Sequence, residues 1–361
     1  MGGSTPTVLV TGISGNLGTR LLPLLGDQAI VGVDLEAPQT DYPVRFVPMD
    51  FGREESCAQL LLLLKETRPV AFLHLAFVID PVRTGILDVD RMWQVNVAGT
   101  ARVMEAISEA NRDQVIVEKF IFPSSVSVYG SDFPEPAKED FPLRAHSLPY
   151  AVHKMEAERV VHQRAPALRG CSAYMLRPHI YAGATVENYL LGAFRGTPNG
   201  RSKAAARMRA TGKRLPMMLP YGEQYLSNKI QFVHVDDMAR LLAYIVHKAE
   251  PEFQRLTVLN VAGKGEPLTF GQCIQMANGR LRRVPGKLAF SLVLRLLWKF
   301  GISAIPPGAL PYMTGQYIMD TSALRNFLNT DYENVIRYTI RDAFADSFAA
   351  PSPPKHSAAS G

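Results

Sequence analysis

Val8-Leu-Val-Thr11-Gly12-Ile-Ser-Gly15-Asn-Leu-Gly18 is the stretch that decides the fold. Val8, Leu9 and Val10 form a short apolar run, the pattern of a strand buried on both faces. Three glycines follow at intervals of three, and leucines then resume at roughly helical spacing from Leu17 to Leu25. A glycine-rich turn from strand to helix presents bare backbone N–H groups and the positive end of the helix dipole, so it suits an anion such as a pyrophosphate. Ile30-Val-Gly-Val-Asp34 reads as a second strand that ends in an acid 22 residues after Gly12. A carboxylate at that place accepts hydrogen bonds from an adenosine ribose.

Further downstream the pattern repeats. Arg45 to Asp50, Val70 to Ala76 and Lys119 to Ser125 read as strands, with helical stretches over 57–65 and 90–111 between them. Such alternation implies right-handed crossovers and a parallel sheet with helices on both faces. Ligands of these sheets sit beyond the carboxyl ends of the strands. Gly12, Asp34, Asp50, His74 and Ser125 all fall at or just past those ends. Tyr150 to Arg164 then reads as a helix, Cys171 to Arg177 and Gln231 to Val235 as strands, and Leu256 to Val261 as another. The segment from Arg195 to Leu219 reads as a mobile loop, and 349–361 as a disordered tail.

Composition bounds the function. The chain has 361 residues, enough for one or two domains. It has three cysteines, far apart and without metal spacing, so a reduced, cytoplasmic protein is expected. The formal net charge of +6 is local. Arg195, Arg201, Lys203, Arg207, Arg209, Lys213 and Arg214 lie in a stretch with no acid, and the rest of the chain is about neutral. Nucleic-acid binders spread basic residues over a face or groove, so none is expected as a partner. Three roles fit the basic segment: a solvated loop, a clamp for a phosphate-bearing substrate, or a contact with an anionic membrane surface. Leu288 to Phe300 is too short to span a bilayer and reads as an amphipathic core or substrate-pocket helix.

Tyr150-Ala-Val-His-Lys154 carries chemistry. Tyrosine and lysine at i and i+4 share one helix face. A lysine ammonium beside a phenol favours the phenolate, so Tyr150 is expected to have a lowered pKa and to act as a general acid/base. Ser125 would hold the substrate oxygen. Lys154, with three donors, can also bond a nicotinamide ribose. The set suits hydride transfer between a carbinol and a nicotinamide. His74 reads as a hydrogen-bonded core residue, and His153 as facing away from the site. His234, Asp236 and Asp237 read as helix capping rather than a metal site, and no metal is expected.

These motifs resemble the extended short-chain dehydrogenase/reductase superfamily, in its NAD-dependent epimerase/dehydratase branch. Those that match are Thr11 to Gly18, His74-Leu-Ala76, Asn96-Val-Ala-Gly-Thr100, Ser124 to Gly130, Tyr150 to Lys154, Leu176-Arg-Pro178 and Phe232 to Asp237. The resemblance continues through Val258 to Gly263 and Met319 to Arg325. It implies an α/β fold, a Rossmann-type doubly wound parallel sheet with a smaller, mostly C-terminal α/β substrate domain. Residues 1–178 and about 231–262 would bind NAD, and about 179–230 and 263–348 the substrate. Gly12, Ser14, Gly15, Asn16, Leu17, Gly18 and Asp34 would meet the cofactor. Asp50 and Phe51 would lie by the adenine, the backbone of Leu75, Ala76 and Phe77 would line the cofactor, Asn96 would support it, and Pro178 would border the nicotinamide. The step from Ser125 to Tyr150 fits the family and selects Ser125 over Ser124 as the catalytic hydroxyl. A homodimer through the helices near 90–111 and 150–164 is implied as well.

The substrate is where the chain departs from this branch. Nucleotide-sugar enzymes of the branch usually place an asparagine where this chain has Ile180, and often a phosphate-clamping arginine where it has Ile230. The first expectation is therefore an NAD-dependent oxidoreductase or epimerase acting on a less polar secondary alcohol or ketone. A nucleotide-sugar epimerase or dehydratase is the alternative, and a non-catalytic NAD-binding scaffold or redox sensor a third reading, against which the intact Ser125, Tyr150 and Lys154 argue.

Overall fold

The computed structural model describes residues 5–79, 88–250 and 256–349. One sheet holds seven strands: β1 (Thr7–Thr11), β2 (Ala29–Asp34), β3 (Arg45–Pro48), β4 (Ala71–His74), β5 (Lys119–Pro123), β6 (Ser172–Pro178) and β7 (Leu256–Val261). Their spatial order is β3-β2-β1-β4-β5-β6-β7, and every pair is parallel. The order reverses between β1 and β4. That switch point opens a crevice beyond the strand ends, where ligands of such sheets bind.

Alternate residues of each strand feed the two layers of the sheet's core, one on each face, as a two-residue side-chain period requires. Leu9, Val31, Phe72, Phe120 and Met175 pack with helices α2 (Ser56–Thr67), α3 (Gly99–Ala110) and α4 (Pro149–Arg164). Val8, Val10, Leu73, Ile121 and Leu176 pack on the other face with α1 (Asn16–Leu21) and α5 (Val235–His247). Burial of each such leucine or phenylalanine contributes about 1.5–3 kcal/mol, and the double-sided burial explains why these strands read as unbroken apolar runs.

The helix expected over 90–111 is broken. Val89–Trp93 is α-helical, Gln94–Ala98 is a π-helical bulge, and α3 follows. Single π turns of this kind insert one extra residue and re-aim side chains, commonly at functional sites. Here the bulge carries Asn96.

Residues outside the large sheet form a second core around Phe194, Phe232, Phe270, Phe290 and Phe344. The segment from Arg195 to Leu219, expected as a mobile loop, is built of regular elements. Tyr189–Arg195 is a helix capped by the Asn188 side chain and closed by Gly196 at φ 68°. Lys203–Ala210 is a helix capped by Ser202, and Met217–Pro220 is a strand parallel to Leu281–Val284. Its basic composition masked these capping signals. Two of its arginines are structural: Arg195 donates to Ser347 O at 2.6 Å, and Arg209 to Pro198 O at 2.6 Å and Gly200 O at 2.9 Å. The helix α6 (Gly286–Lys299) buries Phe290 and Leu294 and leaves its other face outside. The tail expected beyond residue 349 lies outside the described residues.

Candidate active site

The glycine loop is held from both sides. Gly12 N donates to Val33 O at 2.8 Å, Leu75 N to Thr11 O at 3.1 Å, and Ala76 N to Thr11 Oγ1 at 3.2 Å. The loop thus abuts both the end of β2 and the Leu75–Phe77 wall. Gly12, at φ +71°, has no room for a side chain, since a Cβ would lie 2.6 Å from Ala76 N. A Cβ at Gly15 would meet only Gly12 O, at 3.2 Å, and otherwise open space. Bare backbone at Gly15 therefore leaves a cradle that a side chain would fill, as a bound pyrophosphate requires. Ser14 N donates to Asp34 Oδ2 at 3.0 Å, so the carboxylate stands over the loop.

Two expected cofactor residues are engaged elsewhere. The Asn16 side chain donates to Thr185 O at 2.9 Å and accepts from Arg20, and it ties α1 to the C-terminal half. Arg20 also pairs with Asp236 and reaches Thr185. Asp50 pairs with Arg91, accepts from Gly52 N at 2.9 Å and lies 3.6 Å from Arg53 Nε.

Asn96 acts on backbone. Its Oδ1 accepts from Val78 N at 2.7 Å and its Nδ2 donates to Val78 O at 3.1 Å, which fixes the end of the Leu75–Phe77 wall. His74 bonds Thr11 Oγ1 at 2.8 Å and Thr100 Oγ1 at 3.1 Å, and burial with the Lys154 charge holds its pKa down at about 3. It is a neutral core histidine, as read from sequence. His153 is buried behind the site, its Nδ1 3.5 Å from Asn96 Nδ2. The cap of α5 is His234, whose Nδ1 accepts from Asp236 N at 3.1 Å; Asp237 instead accepts from the backbone of Arg337 and Tyr338.

Ser125 lies just past β5, close enough to the Tyr150 hydroxyl for its own hydroxyl to favour the phenolate. Ser127, absent from the sequence reading, donates to Ser125 Oγ from its hydroxyl at 3.0 Å and from its N–H at 3.2 Å. Two donors into one oxygen leave the Ser125 proton pointed outward, available to a second oxygen. The expected lowering of the Tyr150 pKa is not what the structure gives. Burial pushes the phenol up to about 12, against the pull of the Ser125 hydrogen bond. Lys154 Nζ is turned to Pro123 O at 2.6 Å and capped by the Phe77 ring at 3.5 Å, and burial drives its own pKa down to about 7. A lysine held that way stabilises the phenolate less than i, i+4 spacing alone suggests.

Beneath the pair lies a buried ion network invisible in the motifs. Glu158, one more turn along α4, takes Arg177 in two bonds of 2.9 and 2.7 Å. Arg177 also donates to Tyr129 Oη at 2.6 Å, and Tyr129 donates to Asn260 Oδ1 at 2.7 Å. One network thus locks the helix of Tyr150 to β6 and β7. The spacing Tyr150, Lys154, Glu158 on one helix face was its signal.

Beside Tyr150 opens a cleft of about 440 Å³, its open mouth included. Ile79, Met92, Leu148, Tyr189, Trp298 and Pro306 line it, and none of the described residues around it is charged. Trp298 comes from the Leu288–Phe300 segment singled out in the sequence. Ile180 instead packs against the second core.

The sequence profile of the NAD dependent epimerase/dehydratase family matches residues 8–262. The chain belongs to the NAD-dependent epimerase/dehydratase family. It is accordingly an enzyme of the extended short-chain dehydrogenase/reductase type with NAD as its cofactor. As a family member it is similar to a UDP-glucose 4-epimerase of Azospirillum brasilense, 29% identical over 184 residues, 50% of this chain and 51% of that protein. A UDP-glucose 4-epimerase 4 of rice is 29% identical over 257 residues, 66% of each chain. The chain thus spans from half to about two thirds of the length of these relatives. Among solved structures, a dTDP-glucose 4,6-dehydratase from Bacillus anthracis in complex with NAD aligns at TM-score 0.65 and 17% identity, over 95% of this chain and 96% of that one. A UDP-glucose 4-epimerase of Thermus thermophilus in complex with NAD aligns at 0.63 and 18%, over 95% and 98%. Those likenesses carry the fold, including its C-terminal half. No described helix is long and apolar enough to cross a membrane.

Proposed function

We propose that this family member interconverts a secondary alcohol and its ketone on a substrate of low polarity. The observation that carries the reading is the cleft beside Tyr150, whose described lining residues carry no charge. A sugar nucleotide would bring two phosphates, and each ionised group left without a partner in such a lining is strongly disfavoured. Polar groups facing apolar walls lose about 1–3 kcal/mol each.

In this reading Tyr150 takes the proton of the substrate hydroxyl or returns it, and Ser125, steadied by Ser127, donates to the substrate oxygen and fixes its place. Lys154 turns two remaining donors to the ribose and holds the positive charge that a phenolate needs. Gly12, Ser14, Gly15, Leu17 and Gly18 shape the backbone cradle for the pyrophosphate, Asn16 contributing its N–H only, while Asp34 accepts from the adenosine ribose. Asp50 and Phe51 lie by the adenine, and Leu75 to Phe77 with Pro178 flank the nicotinamide end. What bound NAD supplies is a place for the hydride. A homodimer through α3 and α4 and a cytoplasmic location complete the proposal.

The relatives favour a second reading, epimerisation or dehydration of a nucleotide sugar, since the curated ones are UDP-glucose 4-epimerases. Thermal shift in saturating NAD separates the two. Aryl or sterol-like ketones raise the midpoint if the cleft takes them, because a ligand selective for the folded state stabilises it. A rise with UDP- or dTDP-sugars alone selects the second reading.

A further inference from the structure

Helix α6 presents an apolar row to the outside. Leu288 is 88% exposed, Leu292 59%, Leu296 44% and Phe300 62%. These positions recur every four residues, so they form one stripe on the helix surface. The opposite face is already satisfied, with Phe290 and Leu294 buried in the second core. Lys287, Arg295 and Lys299 are exposed and stand one position before members of the stripe, which gives the row a cationic border.

Two stretches of chain around this helix carry a single sign of charge. No aspartate or glutamate occurs between residues 188 and 222 or between 267 and 319, whereas seven and six lysines and arginines occur there. The two segments are physically joined. Met217–Pro220 pairs with Leu281–Val284, Gly200 N donates to Ile302 O at 3.0 Å, and Ser202 N donates to Gly301 O at 3.0 Å. The exposed basic helix Lys203–Ala210 therefore starts where the leucine row ends. Tyr221, 64% exposed, bonds Val284 O through its N–H at the other end of α6. Glu223, 3.9 Å from Arg283, sits at the margin of the lobe.

We propose that this lobe docks on an anionic lipid bilayer, with α6 lying in the interface. Leucine and phenylalanine side chains at this spacing enter the acyl boundary, while the flanking lysines and arginines meet acidic headgroups. An aqueous protein partner would need only the apolar row. The acid-free surround, which extends over two separate stretches of chain, is the complement of a negatively charged plane. The helix is too short to span, and its cations keep it at the surface. Trp298 of the same helix lines the cleft beside Tyr150 from the opposite side of the helix, so the helix that docks also forms part of the cleft wall. The docking stands whatever the substrate.

The test is flotation of the full chain with vesicles of phosphatidylcholine alone and of phosphatidylcholine with phosphatidylglycerol. The bound fraction should be at least about tenfold higher on the anionic vesicles and should fall with salt. Leu288→Glu with Leu292→Glu should abolish it, as should Lys287→Glu with Arg295→Glu, while circular dichroism and the melting midpoint stay unchanged because these residues are exposed. Equal binding to both vesicles, or none, overturns the proposal. So does a concentration-dependent dimer in sedimentation velocity that Leu288→Glu disperses, which makes the row a contact between copies.

Discussion

The Lys154 ammonium lies 3.5 Å from the centroid of the Phe77 ring, and the same ring meets Tyr150 edge-on at 6.0 Å between centroids. One aromatic side chain thus touches both members of the pair on which the proton chemistry rests. A cation over an aromatic face is stabilised by the ring quadrupole but stays desolvated. Desolvation dominates here, since the Lys154 pKa falls from its usual 10.5 to about 7.

That shift sets a pH dependence for protein freed of NAD. Between about pH 7 and 10.5 the unfolded chain binds a proton at Lys154 that the folded chain does not, so stability rises with pH across that window and is lost as pH falls through 7. Lys154→Met removes this term. The variant should be more stable than wild type below pH 7, with the difference shrinking as pH rises, by urea denaturation at each pH. Phe77→Ala, which admits water to Nζ, should narrow the window from its lower end. A pH-independent difference between Lys154→Met and wild type would count against the buried ammonium.

Tyr150→Phe removes the hydroxyl placed to exchange the substrate proton. Turnover should fall by roughly 10²–10⁴-fold, while NAD affinity by calorimetry stays within a few-fold. Ser127→Ala should cost less and act through Ser125, raising KM more than it lowers kcat. Near-normal turnover of Tyr150→Phe would remove the tyrosine from the mechanism.

Cofactor choice follows from Asp34. Its carboxylate stands over the loop, and Arg20, the nearby cation that could welcome a 2′-phosphate, is paired with Asp236. NAD should bind at least about tenfold more tightly than NADP, a difference of about 1.4 kcal/mol. Asp34→Ser should erase most of that preference in a fluorescence titration, and tighter NADP binding by wild type would refute it.

Glu158 and Arg177 form an ion pair with side chains 0% and 2% exposed. Glu158→Ala leaves the guanidinium buried without its partner, which should destabilise the fold by about 3–5 kcal/mol. The double replacement Glu158→Leu with Arg177→Met should recover a large part of it. Equal losses in the single and double variants would mean that the pair itself, rather than the orphaned charge, carries the stability.

Local chemistry explains what was legible. The parallel sheet was readable because strands buried on both faces leave unbroken apolar runs, and the glycine loop because Gly12 has no room for a Cβ. The approach of Ser125 to Tyr150 followed from their place at strand end and helix start. Other features depend on contacts far apart in sequence. Nothing near Lys154 announces that Phe77 will cap it, so the direction of the Tyr150 shift was misread. Arg195 and Arg209 read as a mobile basic loop because the carbonyls they satisfy, at Ser347 and Pro198, become neighbours only in the fold. The π bulge at Asn96 breaks a helix whose periodicity looked continuous.

The substrate class is best tested by one spectrophotometric comparison. NAD-loaded protein is mixed in turn with a panel of aryl and sterol-like secondary alcohols and with UDP-glucose, and NADH absorbance is followed together with the sugar products. Net NADH formation with an apolar alcohol, abolished in Tyr150→Phe, is the predicted result. Conversion of UDP-glucose to its 4-epimer without net NADH, and no response to any alcohol, would contradict it.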